Sequence, residues 1–293
     1  MRPSCRQWLR VPDAAELGNG ALAGHDTVST DQVELWLAPL DALAEPLQAL
    51  EGADPLCPAN ECDDFDVPRR VARLLLRRLI GRVFGRAAAV LPFANGPHGK
   101  PMLAGLAGDF NLSHTRAGDG QSFALIGAGR VAAVGVDLEP ERTVRLDVRR
   151  RALIIEAAQL VGADAALPDH DDLRILQAWA RLEAWGKADG RGIGRTLTHF
   201  GIWGGRVEGA AASDEALSGA GRLRVHDLPA GRGLFAAVAL PRAVNPPELL
   251  FLPTDFASLQ AIFAAAGGGA KSGVDLAPGA GQKGTVRSVA QPG

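Results

Sequence analysis

The sequence contains no tyrosine and few lysines: four of its 31 basic residues are lysine. Arginine is the default cation of this chain. Each lysine that remains therefore raises the question of why it is present, because lysine and arginine differ as phosphate ligands. Lys271 and Lys283 lie in a glycine-rich C-terminal stretch, whereas Lys100 and Lys187 lie within two motifs that hold other polar residues.

Other scarce features argue against whole classes of protein. No apolar run approaches the roughly 20 residues that span a bilayer, and the N-terminus lacks the continuous apolar core of a signal peptide. The three cysteines are an odd number without CxxC spacing, which argues against a disulfide framework or a zinc site and predicts a cytoplasmic protein. A net charge of -2 gives no general attraction to nucleic acid. We therefore expect no membrane and no nucleic-acid partner.

The chain is long and apolar enough to fold, since 47% of its 293 residues are hydrophobic. The order of strand, long helix, loop and hairpin occurs twice. It predicts an α+β fold made of a pseudo-twofold pair of similar halves, residues 31–128 and 129–245. We expect residues 1–30 to be a flexible extension and residues 246–293 a disordered, glycine-rich tail. Paired halves within one chain predict a monomer.

The predicted elements follow from hydrophobic periodicity and turn residues. Asp66 and Pro68 mark the start of the first long helix, and the acidic, proline-containing stretch before it is expected to be a loop. The middle three strands are expected to form an antiparallel meander, and the last two a hairpin. The predicted strands are 33–40, 109–115, 122–128, 130–139, 198–205 and 234–241, and the predicted helices are 69–86, 147–160 and 171–189.

Two carboxylates stand side by side in the segment AAVGVDLEP. Side chains alternate along a strand, so Val134, Val136 and Leu138 share one face while Asp137 and Glu139 share the other. Such a pair repels unless a cation lies between its members, and hard oxygen ligands suit Mg²⁺ rather than zinc. The alternative is a solvent-facing strand end with two ordinary acids.

The helix LQAWARLEAWGKADG places Trp179, Glu183 and Lys187 at intervals of four, on one side. A Glu–Lys pair at this spacing is common on helix surfaces, which is the simpler interpretation. Two observations favour a functional one. Lys187 is one of the two lysines before residue 271, and it shares its side with a tryptophan that would rather be buried.

Three further segments could contact phosphate. The turn GPHGKP can point backbone N–H groups at an anion, with Lys100 adding a charge. The strand end FNLSHT places Ser113 and His114 at the start of a loop. The first long helix carries seven arginines, of which Arg69, Arg73 and Arg77 share one side. A plain turn, a surface histidine and a solvated helix face are the alternatives.

The order and spacing of these motifs, from the arginine helix through GPHGKP, FNLSHT and VGVDLE to WxxxExxxK, resemble the 4′-phosphopantetheinyl transferase superfamily. The likeness is to its larger, surfactin-synthetase-type branch and covers roughly residues 33–241. Members of that branch are pseudo-dimers of two α+β halves with coenzyme A bound in the cleft between them. The resemblance implies transfer of the 4′-phosphopantetheine arm from coenzyme A to a serine of an apo acyl or peptidyl carrier protein. Adenosine 3′,5′-bisphosphate would be released.

The resemblance also implies roles for the residues. Asp137, Glu139 and Glu183 would hold Mg²⁺. Glu183, or a metal-bound water beside it, would accept the serine proton, and Lys187 would contact the pyrophosphate and stabilise the leaving group. The phosphates of the nucleotide end would be bound by Lys100, Ser113 and His114, and the 3′-phosphate by Arg69 and Arg73.

The chain departs from the family pattern at one position near the site. Many relatives have lysine directly before the helix glutamate, where this chain has Leu182, with Arg181 one residue earlier. Two other functions stay open: a non-catalytic protein on the same fold that binds coenzyme A or a carrier, and a metal-dependent nuclease that uses the same carboxylates. The sequence does not identify the carrier or distinguish Mg²⁺ from Mn²⁺.

Overall fold

A computed structural model of the chain describes residues 33–57, 66–96, 98–161, 166–203, 222–231 and 233–264. The predicted N-terminal extension and residues 265–293 lie outside the described residues. The elements in chain order are β1 (Val33–Pro39), α1 (Leu40–Ala53), α2 (Val67–Phe84), α3 (Arg86–Ala89), β2 (Ala94–Asn95), β3 (Pro101–Met102), β4 (Asp109–Arg116), β5 (Ser122–Gly129), β6 (Gly135–Pro140), α4 (Val148–Leu160), α5 (Asp171–Asp189), α6 (Ile193–His199), β7 (Leu223–Leu228), β8 (Leu234–Pro241), β9 (Leu249–Phe251) and α7 (Phe256–Ala264).

The fold is α+β, as predicted, with two main sheets. One has the strand order β4-β5-β1-β9 and the other the order β6-β8-β7. In both sheets an early strand pairs antiparallel with the second strand of a later hairpin: β1 with β5, and β6 with β8. The predicted meander is therefore wrong for β6, which follows β5 in the chain but lies in the other sheet.

Three apolar clusters arrange these elements in layers. One lies between the first sheet and helices α1, α2 and α7. The second joins the two sheets, with Leu35 and Leu125 packed against Val136 and Leu138. The third lies between the second sheet and helices α4 and α5, around the buried Trp185. The face of β6 that holds Val136 and Leu138 is thus buried against the first sheet, and Asp137 points away from that face, as the alternation predicted.

Helix α2 begins where the sequence indicates. The Asp66 side chain accepts a hydrogen bond from the Arg69 backbone N–H at 3.0 Å, and proline occupies the first turn. By contrast, the loop expected after β1 is wrong, because residues 40–53 form α1. Leu40, Leu43, Leu47 and Leu50 recur at helical spacing and are all buried, and this packing outweighs the proline at position 46 inside the helix.

Two predictions for the second half of the chain also need correction. The strand predicted at 198–205 is wrong for its described residues, 198–203: α6 runs through His199, and the strand that pairs with β8 is β7. The segment from residue 246, which was expected to be a disordered tail, contains β9 and α7. There β9 pairs in parallel with β1, and Leu252 and Leu259 are buried in the first core. Cys57 is disulfide-bonded, which the cysteine spacing did not predict.

Candidate active site

The site lies where β4, β6 and α5 meet. Asp137 of β6 accepts hydrogen bonds through its Oδ1 atom from Ser113 Oγ of β4 at 2.9 Å and from Lys187 Nζ of α5 at 2.5 Å. Lys187 Nζ also lies 3.2 Å from Ser113 Oγ and 3.4 Å from Glu183 Oε2. Four of the residues singled out in the sequence are therefore in direct contact, although up to 74 positions separate them along the chain.

Glycine at position 135 allows α5 to approach β6 this closely. A Cβ atom on Gly135 would lie 2.1 Å from the Ala184 carbonyl oxygen and 2.4 Å from the Ala188 backbone nitrogen. The helix backbone thus rests directly on the strand. Glu183 and Lys187, on the same stretch of helix, are brought against Asp137 as a result.

The Asp137 carboxylate is buried, and its hydrogen bonds involve one of its two oxygen atoms. Its side chain is 3% exposed, and its second oxygen, Oδ2, has no hydrogen-bond partner among the described residues. A buried carboxylate oxygen without a partner is costly, and such atoms commonly mark the position of a missing ligand or ion.

Glu183 is held by its helix neighbours and has an unusual pKa. Trp179 Nε1, one turn earlier, donates to Glu183 Oε1 at 2.9 Å. Burial and the negative charges of Asp137 and Glu139 raise the pKa of Glu183 to about 7, against the opposing effect of Lys187. A carboxyl with such a pKa can exchange a proton near neutral pH.

Lys187 stays charged in the site. Burial alone would lower its pKa, but the adjacent Asp137 and Glu183 carboxylates outweigh burial and raise the pKa of Lys187. The site therefore keeps a permanent cation beside its carboxylates at neutral pH, as the functional interpretation of the Glu–Lys pair requires.

Glu139 is close to the other acids but turned toward Arg142, which forms an ion pair with it. Burial and the Asp137 charge raise the pKa of Glu139. In the described part of the chain, no three His, Cys, Asp or Glu side chains converge on one point as a ready metal cage. The donor chemistry still fits a hard divalent cation. Asp137 has a buried oxygen without a partner among the described residues, and Glu139 and Glu183 can offer further carboxylate oxygens.

His114 and Arg69 flank this cluster. Partial burial and the positive charges of Arg69 and Lys187 lower the pKa of His114, whereas Asp66 opposes them. The start of α2 therefore lies beside the second half of β4. Ser113 and His114 are within this strand, which continues to Arg116, and not at the start of a loop as predicted. Arg73, one turn further along α2, lies over the Phe93 ring at 4.8 Å from its centroid.

Lys100 is engaged outside this cluster. Its ammonium group forms an ion pair with Asp109 and donates to the Val134 carbonyl oxygen at 2.9 Å. It lines a groove of about 260 Å³ that extends to Ala188, the residue after Lys187. No sequence motif indicated Asp109 as the partner of Lys100, although Asp109 directly precedes the FNLSHT segment.

The departure before the helix glutamate also has a structural explanation. Leu182 is completely buried in the core between α5 and the second sheet. Arg181 does not take the place of the lysine found in relatives, because its guanidinium binds both carboxylate oxygens of Asp227 on β7, at 2.7 and 2.6 Å.

The chain is similar to a protein of known activity. No protein-family model matches the chain, and none of the described helices is long and apolar enough to cross a membrane. Over 181 residues the chain is 31% identical to the 4′-phosphopantetheinyl transferase HetI of Nostoc sp. strain PCC 7120, a match that covers 58% of this chain and 73% of that protein. This identity and coverage show that the chain belongs to the 4′-phosphopantetheinyl transferase superfamily.

Proposed function

We propose that this protein transfers the 4′-phosphopantetheine arm of coenzyme A to a serine hydroxyl of an apo acyl or peptidyl carrier protein. The observation that carries the proposal is the buried Asp137–Lys187–Glu183 contact, in which Asp137 Oδ2 is left without a partner. Perturbed acids beside a fixed cation are typical of a reaction centre. The relative HetI is a 4′-phosphopantetheinyl transferase, which supports the same reaction.

The chemistry divides among the residues of the contact. Glu183, or a water beside it, accepts the proton of the carrier serine as the serine oxygen bonds to the β-phosphorus of coenzyme A. The bond from that phosphorus to the bridging oxygen breaks, and adenosine 3′,5′-bisphosphate leaves. Lys187 stays protonated and stabilises the negative charge on the leaving phosphate. Trp179 keeps Glu183 oriented through its indole hydrogen bond.

A divalent metal, proposed as Mg²⁺, would be held by Asp137 and Glu183, with Glu139 as a third ligand. When bound, it would neutralise charge on the pyrophosphate. Asp137 offers its partnerless Oδ2 atom. Glu139 would give up its ion pair with Arg142, and the contact of Glu183 with Lys187, at 3.4 Å, is loose enough to be exchanged.

Coenzyme A would lie along the junction of β4 and α5. Lys100, Ser113 and His114 are the proposed ligands of the phosphates at the nucleotide end, and Ser113 Oγ lies 3.2 Å from Lys187 Nζ. Arg69, whose charge acts on His114, and Arg73 are proposed for the 3′-phosphate. To bind a phosphate, Lys100 would have to exchange its ion pair with Asp109 for one with the ligand. Arg73 would bind the ligand from its position over the Phe93 ring.

The repeated strand pairing supports the proposed pseudo-twofold pair of halves. β1 with the β4–β5 hairpin and β6 with the β7–β8 hairpin form sheets of the same strand order. The site lies at their junction, because Ser113 belongs to the first sheet and Asp137 to the second. A cleft for coenzyme A between two halves of one chain requires no second copy, so we propose a monomer.

The test is transfer itself. The purified protein is incubated with coenzyme A, Mg²⁺ and a panel of apo acyl and peptidyl carrier proteins, and each carrier is weighed by mass spectrometry. We expect at least one carrier to gain the phosphopantetheine arm, and Asp137→Asn to slow that gain by at least about 10²-fold. Coenzyme A binding without transfer to any carrier, unchanged in Glu183→Ala, would instead indicate a non-catalytic binding protein.

A further inference from the structure

β4 and β6 meet without forming a backbone ladder. β4 is the first strand of one sheet and β6 the first strand of the other, so within the described residues each has one side not paired to a strand. Such an edge presents N–H and C=O groups that need partners when they are buried.

Side chains of β4 and its neighbouring loop supply those partners. The Val134 N–H, just before β6, donates to Asp109 Oδ2 at 2.6 Å, and the Val136 N–H donates to Asn111 Oδ1 at 2.9 Å. The Val134 carbonyl accepts from Lys100. One step further along β4, the Ser113 hydroxyl donates to Asp137.

These contacts follow one face of β4. Asp109, Asn111 and Ser113 are two residues apart, so their side chains point the same way, toward the second sheet. We refer to their three contacts with residues 134–137 as the polar ladder. The first sheet can approach residues 134–136 closely because position 127 on β5, which pairs with Asn111, is glycine. A Cβ atom there would lie 2.8 Å from Val134 Cγ1 and 3.0 Å from Val136 Cγ1.

The polar ladder determines where Asp137 lies. Asp137 directly follows Val136, whose N–H is fixed by Asn111, and a shift of β6 along β4 would move the Asp137 carboxylate away from both Ser113 and Lys187. Asn111 is 7% exposed, and its side-chain oxygen accepts from the Val136 backbone N–H rather than from a proposed reacting group. Through this hydrogen bond it acts on the backbone of β6 next to Asp137.

We propose that Asn111 is a positioning residue for the transfer reaction, holding β6 in the register that places Asp137 between Ser113 and Lys187. This proposal rests on the proposed function for its kinetic part. Its structural part, the fixing of the Val136 amide, does not depend on which reaction the site performs.

The test compares Asn111→Ala, which removes the acceptor, with Asn111→Asp, which keeps an oxygen at the same place, as Asp109 does for the Val134 N–H. Amide hydrogen exchange is followed at Val136, and kcat and KM for coenzyme A are measured with an apo carrier. We expect Asn111→Ala to speed exchange at Val136 and lower kcat about tenfold or more, with KM changed less than about twofold. Asn111→Asp should restore protection at Val136 and most of kcat.

A matched control separates positioning from loss of stability. Leu43 of α1 is completely buried in the core on the far side of the first sheet, so Leu43→Ala destabilises the fold without touching β6. Its kcat per folded molecule should stay near that of the wild type. The proposal is overturned if Asn111→Ala keeps Val136 protected, or lowers kcat no more than Leu43→Ala does.

Failure of the proposed function would look different. In that case the wild-type protein transfers no arm to any carrier. The Val136 exchange rates in the Asn111 variants then still decide whether the polar ladder holds β6 in place: faster exchange in Asn111→Ala alone supports it, and equal exchange in both variants refutes it.

Discussion

Two clusters of charged side chains in this protein differ in how well their charges are matched. Between α1 and α2, Arg78 binds Glu51, Asp54 and the Leu50 carbonyl, and Arg86 binds Asp54 as well. Two guanidinium groups thus face two carboxylates. Around Asp137, three carboxylates are accompanied by two cations among the described residues, Lys187 and Arg142.

The pKa values respond in opposite directions. Burial opposes ionisation of Asp54, but Arg86 and Arg78 outweigh it and lower the pKa of that carboxyl. In the other cluster, burial and the neighbouring acids raise the pKa of Glu183 to about 7. A matched cluster stabilises the fold, whereas an excess of one sign costs stability and is kept where a ligand of opposite sign completes it. We expect the arginines of α2 to divide in a similar way, into structural ones such as Arg78 and a proposed ligand-binding group that includes Arg69.

The largest effect should come from breaking the matched cluster. Arg78 is 4% exposed, so Arg78→Met removes the guanidinium that donates to the Leu50 and Asp54 carbonyls and to Glu51 Oε2. We expect the free energy of unfolding to fall by about 3 kcal/mol, with kcat per folded molecule unchanged. Urea denaturation followed by circular dichroism measures the first quantity and carrier modification the second.

Arg86 is the control for that experiment, because it contacts the same Asp54 carboxylate from a side chain that is 60% exposed. Arg86→Met should cost less than about 1 kcal/mol. Equal losses in the two variants would show that burial does not distinguish these ion pairs, and a fall in kcat for Arg78→Met would connect this cluster to the reaction.

A smaller effect of opposite sign is expected from the unmatched cluster. The folded-state pKa of Glu183, about 7, is above its ordinary value of 4.5, so ionising this carboxyl destabilises the folded state as pH rises from about 5 to above 7. Glu183→Gln mimics the protonated form. Without metal, it should raise the free energy of unfolding by about 2 kcal/mol at pH 8, and the gain should shrink toward pH 5, where the wild-type carboxyl is mostly protonated.

The measurement is urea denaturation in the presence of a chelator at pH 5.5 and pH 8. Glu45→Gln, on the exposed side of α1, provides a carboxylate of the same type outside the cluster and should change the free energy of unfolding little at either pH. A Glu183→Gln variant that is less stable than the wild type at pH 8 would mean that the carboxylate is fully compensated in the folded protein.

The sequence could predict the site better than the fold around it. Asp137, Glu183 and Lys187 belong to motifs whose spacing is local: alternation on a strand and intervals of four on a helix. Helix α5 was predicted with the bounds it has, Asp171–Asp189. The helical spacing of the α1 leucines was also visible, but the proline among them indicated a loop, and only burial against β5 and α2 decides between the two.

Contacts made across the fold had no signal in the sequence. Nothing in FNLSHT indicates that Asn111 accepts from Val136, because that hydrogen bond depends on two sheets meeting edge to edge. The same holds for Lys100, which was predicted as a phosphate ligand from its turn and is paired with Asp109 in the structure. The GPHGKP motif predicts a turn around Lys100, but the tertiary fold determines which acidic group Lys100 binds.

The smallest effect should separate the two arginines proposed for the 3′-phosphate. Arg69 lies on the exposed side of α2 near His114, whereas Arg73 is half-buried and stacked on Phe93. Arg69→Ala should raise KM for coenzyme A about tenfold, as expected for a lost hydrogen bond to a charged group, and leave KM for 3′-dephospho-coenzyme A unchanged. Arg73→Ala should mainly lower stability through lost packing. If Arg73→Ala instead gives the effect that depends on the 3′-phosphate, the stacked arginine belongs to the ligand-binding group, and exposure along α2 does not distinguish the two groups.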